Sequence, residues 1–260
     1  YPDGFQKVLS FSKAELFAGA ASPTASTTIA EGDAEPVQAP DASVEYLVVA
    51  GDSGIRIHRG LSTSSPTVNV DAGFSWEYPF FDIGPAKGSF GLEMGTGDAT
   101  VAIYRNGWIY AVQRIGTSAR TLQGNGLLWW KVDPEGVKQG ELGVIASPAP
   151  GTKYAYPSLA VNREGGMVIS FCLLTDMSYA SAAFVYRDPS GRMSAPTIIR
   201  AGESAVVDNS HRWGDYTAVV VDPVNGRDFW IGQIYATRQY WATWWAKATI
   251  TPGRARAARH

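Results

Sequence analysis

The sequence predicts an all-β chain, a β-propeller of four-stranded antiparallel blades. Three observations carry that expectation. First, one phrase is written three times, over residues 100–112, 158–171 and 216–232: an apolar run, a glycine-bearing turn and a second apolar run. The turn glycines, Gly107, Gly166 and Gly226, stand about 60 residues apart, and self-similarity at a long fixed period means stacked copies of one unit. Second, aromatic residues make up 12% of the 260 residues and charged residues only 18%, which suits half-buried pleated surfaces. Third, 28 Gly and 15 Pro supply turns for many short strands.

The elements follow in chain order. Residues 5–16 begin with alternation at Phe5 and Phe11 and read as a strand leading into a short helical turn. Residues 18–43 carry Ala, Ser, Thr, Pro, Gly and Asp with almost no large apolar side chain, and read as a long loop. Residues 44–50 and 55–58 form a hairpin around Gly51-Asp-Ser-Gly54, an earlier and less well written copy of the unit. Residues 71–97, centred on Trp76-Glu-Tyr-Pro-Phe-Phe81, read as a broad loop.

Each of the three clear hairpins is followed by a third run, at 127–132, 180–186 and 241–250. A weaker fourth run stands at 141–145 and again at 195–200. Trp129-Trp130 and Trp244-Trp245 are adjacent pairs in strands, so one ring of each pair faces each side of its sheet. The propeller therefore spans 1–250, and the basic tail 251–260 is expected to be disordered. Closure is incomplete by count: the last unit stops after its third strand and the first begins with what resembles one. A longer gene product, or a second chain completing the ring, is the expectation that follows.

Net charge is −2, which gives no footprint for a polyanion partner such as nucleic acid. The one cysteine, Cys172, ends an apolar run and reads as a small buried hydrophobe. No apolar stretch is long enough for a transmembrane helix. Phosphate-loop, dinucleotide, nucleophile-elbow and His-Glu-x-x-His patterns are all missing from the sequence, which removes nucleotide-dependent and ordinary serine-hydrolase chemistry.

The segment from His211-Arg-Trp-Gly-Asp-Tyr-Thr through the Asp222-Pro223 turn to Trp241-Ala-Thr-Trp244 resembles the last blade of large exported bacterial β-propeller proteins. Tyr156-Pro-Ser-Leu-Ala-Val-Asn and Arg105-Asn-Gly-Trp-Ile-Tyr resemble the two blades before it. The resemblance covers about residues 97–250 and implies a secreted or surface protein. Some relatives carry a loose sialidase-like label. The Asp-box pattern Ser-x-Asp-x-Gly-x-x-Trp is absent here, so no sialidase residue is carried over.

Ligands of such disc-shaped folds enter where loops and inner-strand ends converge. His211 beside Asp215 is the pair suited to acid–base work near neutral pH, and Tyr156 could supply a proton. Arg212, Trp213, Tyr216, Asp98, Glu77 and Trp76 are the candidate substrate-binding residues. No metal site is assigned and no cofactor is expected; Ca²⁺ at Asp52, Asp98 and Asp215 is the alternative considered. The leading functional expectation is a secreted or surface propeller that recognises an extracellular glycan or similar polymer, with cleavage left open. The competing class is a non-catalytic module that binds a protein partner. Acid–base groups sharing one wet pocket would favour an enzyme, and groups tied to one another, with apolar loop tips exposed, a non-catalytic interaction module.

Overall fold

A computed structural model describes residues 5–258 except 23–24, 32–33, 40–43, 52, 61–65, 74–82, 96, 98, 117–125, 148, 150, 208 and 252–253. It is all-β. The chain opens with strand β1 (Phe5–Phe11) and a five-residue helix α1 (Lys13–Phe17), capped by Ser12. Then come β2 (Ala25–Glu31), β3 (Ala34–Gln38), β4 (Tyr46–Ala50), β5 (Gly54–Arg59) and β6 (Thr67–Asp71). Two short strands, β7 (Ile83–Gly84) and β8 (Leu92–Glu93), pair with each other.

The repeated units follow. The first holds β9 (Ala99–Arg105), β10 (Trp108–Ile115), β11 (Gly126–Val132) and β12 (Glu141–Ile145). The second holds β13 (Lys153–Val161), β14 (Met167–Leu174), β15 (Ser181–Arg187) and β16 (Thr197–Arg200). The third holds β17 (Ala218–Val221), β18 (Phe229–Thr237), β19 (Tyr240–Thr251) and β20 (Arg254–Ala258). Within each unit the strands pair antiparallel in sequence order; the second and third units are four-stranded sheets, while β9 of the first also pairs in parallel with β3, so that β3–β6 and β9–β12 form one eight-stranded sheet. Gly107, Gly166 and Gly226 all fall in the turn joining first and second strands, so the repeat read from sequence is a structural repeat. Asn106 and Gly107 both take positive φ (54° and 80°), the geometry that lets a two-residue loop follow the twist of its strands.

Three expectations are corrected. The stretch 18–43 is not one long loop, because β2 and β3 lie within it. Its side chains give no hydrophobic alternation; the pairing comes from neighbours. β1 takes β2, while β3 lies between β4 and β9. Pro36 has no N–H to donate, and the parallel pairing to β9 starts at the next residue, Val37↔Ala102.

The tail is corrected likewise: Arg254–Ala258 forms β20 on the edge of β19. Pairing satisfies a row of edge N–H and C=O groups that composition alone does not reveal. The third correction concerns the 44–58 hairpin. It is strands two and three of its sheet, not one and two, because β3 precedes it.

The sheets stack face to face. Val48, Ile55 and Ile57 of the β3–β6 half meet Ile109, Ala111 and Trp130. Val112, Leu127 and Trp129 on the other face of β9–β12 meet Leu159, Ile169 and Phe171. Val168, Phe184 and Ile199 meet Phe229, Ile231 and Ala246. Trp129 and Trp130 thus serve opposite cores, as their adjacency requires. Large side chains such as Phe171 and Phe229 are fully buried, and each contributes about 1.5–3 kcal/mol by leaving water.

The first strands of successive sheets lie side by side, and hydroxyls join them. In β13 the ladder skips Tyr156 and Pro157, which frees their carbonyls. Thr100 donates its hydroxyl to the Pro157 carbonyl at 2.7 Å, and Thr217 donates to that of Tyr156 at 2.9 Å. The Val219 amide donates to the Ser158 hydroxyl at 3.0 Å. β13 is therefore fastened on both sides.

Candidate functional site

The interrupted strand β13 and the segment before β17 meet at one end of the inner strands, together with β8. Tyr156, in the interruption, has φ +49°, and His211 has φ +61°. Non-glycine residues held there cost of order 1–3 kcal/mol each and persist only when the surroundings fix them. Here the surroundings do. Gln233, fully buried on β18, donates to the Tyr156 carbonyl at 3.3 Å. The Glu93 amide donates to the His211 carbonyl at 2.8 Å. A Cβ at Gly95 (φ +77°) would lie 3.2 Å from the Tyr156 ring, and one at Gly214 (φ +64°) 2.5 Å from Ile234 Cδ1. Glycine at these two places lets the mouth close around the tyrosine.

The charged groups form one exposed chain. Arg212 donates from one guanidinium nitrogen to both oxygens of Asp215 at 3.0 and 2.9 Å, and from the other to Glu93 Oε2 at 3.3 Å. His211 does not join it. Its Nδ1 lies 3.1 Å from the Gly91 carbonyl, which only accepts, so Nδ1 donates this bond. Asp215 is thus held by Arg212, and no hydrogen bond links it to His211. Tyr216 beside it is 92% exposed.

Tyr156 is buried, and among the described residues its hydroxyl has no hydrogen-bonding partner. Burial first, then the carboxylates of Glu93 and Asp215, push its pKa well above the usual tyrosine value, so the phenol keeps its proton. Below the ring, Trp213 is buried in one cluster with Leu92, Met94 and Cys172. It was expected as a stacking platform. Instead its indole is core, because the 83–95 segment folds over it. Cys172 is fully buried, its thiol pushed up to about 12 by desolvation, and it is chemically inert.

Of the candidate residues, Tyr156, Arg212 and Asp215 converge, His211 stands beside them through the β8 backbone, and Tyr216 is at the surface. Asp98, Glu77 and Trp76 lie outside the described residues, as does Asp52. Among the described residues no group of three metal-binding side chains converges, and Asp215 is engaged by a guanidinium.

Three residues of this end escaped sequence reading. Glu93 sits on a two-residue strand with no periodic signal. Arg114 is a fully buried cation on β10 that donates to the Gly95 carbonyl at 2.6 Å. Its place in an apolar run, Trp108–Ile115, is the signal that could have found it. Glu35, on β3 two residues before the pairing to β9, has its carboxyl lifted by desolvation to about 7.

No protein-family model matches the chain, and no curated protein matches it either. Among solved structures, it is similar to a GH43 endo-arabinanase from Bacillus licheniformis at 8% identity, over 85% of this chain and 73% of that one. The TM-score is 0.39, and at that level the likeness carries no argument. Among the described residues no helix is long and apolar enough to cross a membrane.

Proposed function

We propose that this chain is a β-propeller-type recognition module. Its stacked sheets are blades around an axis lined by β3, β9, β13 and β17, and the mouth at Tyr156, Arg212 and Asp215 binds an extracellular glycan or similar polymer without cleaving it. One observation carries this reading: both oxygens of Asp215, the carboxylate expected to orient His211, are held by Arg212, and the Tyr156 phenol is buried and holds its proton. A general base of this kind needs a carboxylate beside it, and among the described residues His211 has none. The Arg212–Asp215 pair beside the open ring of Tyr216 suits a different task, hydrogen bonding to sugar hydroxyls while the ring stacks on a sugar face. A secreted or surface location accords with a polymer ligand of this kind.

The test is calorimetric titration against a panel of soluble neutral and acidic polysaccharides, with reducing-end release followed in the same samples. Binding is expected without release. Tyr216→Ala is expected to weaken it by about tenfold, the loss of one aromatic stack. Release of reducing ends that stops in Asp215→Asn would establish a glycosidase instead.

A further inference from the structure

Every sheet in this stack has two faces, and the inner ones are matched in a recurrent way. At each of the last two junctions an arginine lies over a tryptophan. Between the first and second repeated sheets, Arg187 of β15 covers the Trp129 ring at 5.0 Å. Between the second and third, Arg200 of β16 covers Trp244 at 4.5 Å. Guanidinium planes over indole faces add cation–π attraction to the apolar contact around them.

The outer face of the third sheet repeats the chemistry of the corresponding face of the first. In the first, Trp129 and Lys131 alternate on the third strand, and Lys131 lies over Trp108 of the second strand at 4.6 Å. In the third, Trp245 and Lys247 alternate on the third strand, and Lys247 lies over Trp230 of the second strand at 5.5 Å. Val112 stands opposite Trp129, and Gly232 stands opposite Trp245, whose ring covers it. The difference is cover. Trp129 is 7% exposed beneath the next sheet, while Trp245 is 58% exposed, with Trp241 and Val220 open on the same face.

The face of the β3–β6 strands turned away from the core that contains Val48 and Ile57 is covered at Leu47, which is 2% exposed, and opens toward the β4–β5 turn. It bears Val49, Arg56 and Asn69, and Arg56 donates to Asn69 at 2.9 Å. A shallow cavity of 520 Å³ opens there between Val49, Gly54, Arg56, Asn69 and Asp71. Arg56 stands on the third strand of the antiparallel run β3–β6, as Arg187 stands on the third of β13–β16.

We infer that these two faces bind each other between copies of the chain: Trp245 of one copy enters the Val49–Arg56–Asn69 cavity of the next. The contact continues the interface that the chain already builds between its own sheets, with arginine again over tryptophan. It is head-to-tail, so copies add at both ends and close into a ring or extend.

Sedimentation velocity across a concentration series tests this on the full chain. The wild type is expected to associate as concentration rises. Trp245→Lys and Arg56→Glu are each expected to raise the concentration needed by roughly 30-fold, the loss of one anchor residue at an interface. Each variant keeps one intact face, so an equimolar mixture of the two is expected to restore a species of two chains and no larger one. Circular dichroism and thermal melts of each variant verify folding, and Val220→Lys supplies a second break on the tryptophan face. A wild type that stays monomeric, association that survives both substitutions, or a mixture that fails to recover dimers would each overturn the inference.

Discussion

The inner strands have two ends, and they are built by opposite rules. At the turn end, side-chain acceptors and donors are matched. Asn162 Oδ1 accepts from the amides of Glu164 and Gly166 at 3.0 and 2.8 Å, and its Nδ2 donates to the Arg227 carbonyl at 2.9 Å. Lys247 bridges Asp222 and Asp228 at 2.7 and 3.3 Å, and its hydrogen bond holds the Asp222 carboxyl below the usual range. Glu141 is shared by Lys131 and Arg187. At the mouth, Tyr156 and His211 are held left-handed outside any hairpin turn, whereas Asn106 at the turn end takes that conformation within one; the mouth also carries a buried hydroxyl with no partner among the described residues and a carboxyl near 7. Strain and unpaired groups persist where they serve something other than stability. The turn end holds the sheets together, and the mouth is the place to look for a ligand.

Three substitutions sharpen that contrast, and denaturant titration reads each. Asn162→Ala, at the turn end, removes three hydrogen bonds and leaves a buried amide unmatched; a loss of about 2–3 kcal/mol is expected, with polysaccharide affinity unchanged. Equal damage to affinity would break the division between the ends.

Glu35→Gln, at the mouth end of β3, is expected to stabilise by on the order of 1 kcal/mol at pH 8, discounted for its partial exposure. The sign follows from its raised pKa. Between about 4.5 and 7 the unfolded chain loses the proton while the folded one keeps it, so wild-type stability falls as pH rises through that window. The gain should therefore vanish at pH 4, and a gain that persists there would rule out ionisation as its cause.

Tyr156→Phe has the smallest expected effect, a change within about 0.5 kcal/mol or a slight gain, because no hydrogen bond is lost. A loss above 1 kcal/mol would mean that the hydroxyl is matched after all.

Much of the fold was legible. The alternation and the glycine turns marked β9 to β19 closely, since burial of one or both sheet faces writes itself into side-chain type. Cys172 and the opposed faces of the paired tryptophans followed from the same reasoning. The strands that were missed, β2, β3 and β20, are held by backbone pairing to an available edge, and backbone groups are the same in every residue. At the mouth, Arg212, Asp215 and Tyr216 were marked as candidates because they sit next to a repeated strand. Their partners were not found, because Glu93 is more than a hundred residues away along the chain.

By itself, then, the sequence determined the strands, their period and the faces they bury, since each is a local pattern of apolar side chains. Only the tertiary structure decided which groups are matched. It tied Asp215 to Arg212 instead of His211, sank Trp213 into the core and lifted the Glu35 carboxyl. Charge pairing and desolvation depend on what folds against a residue from elsewhere, and no local pattern records that.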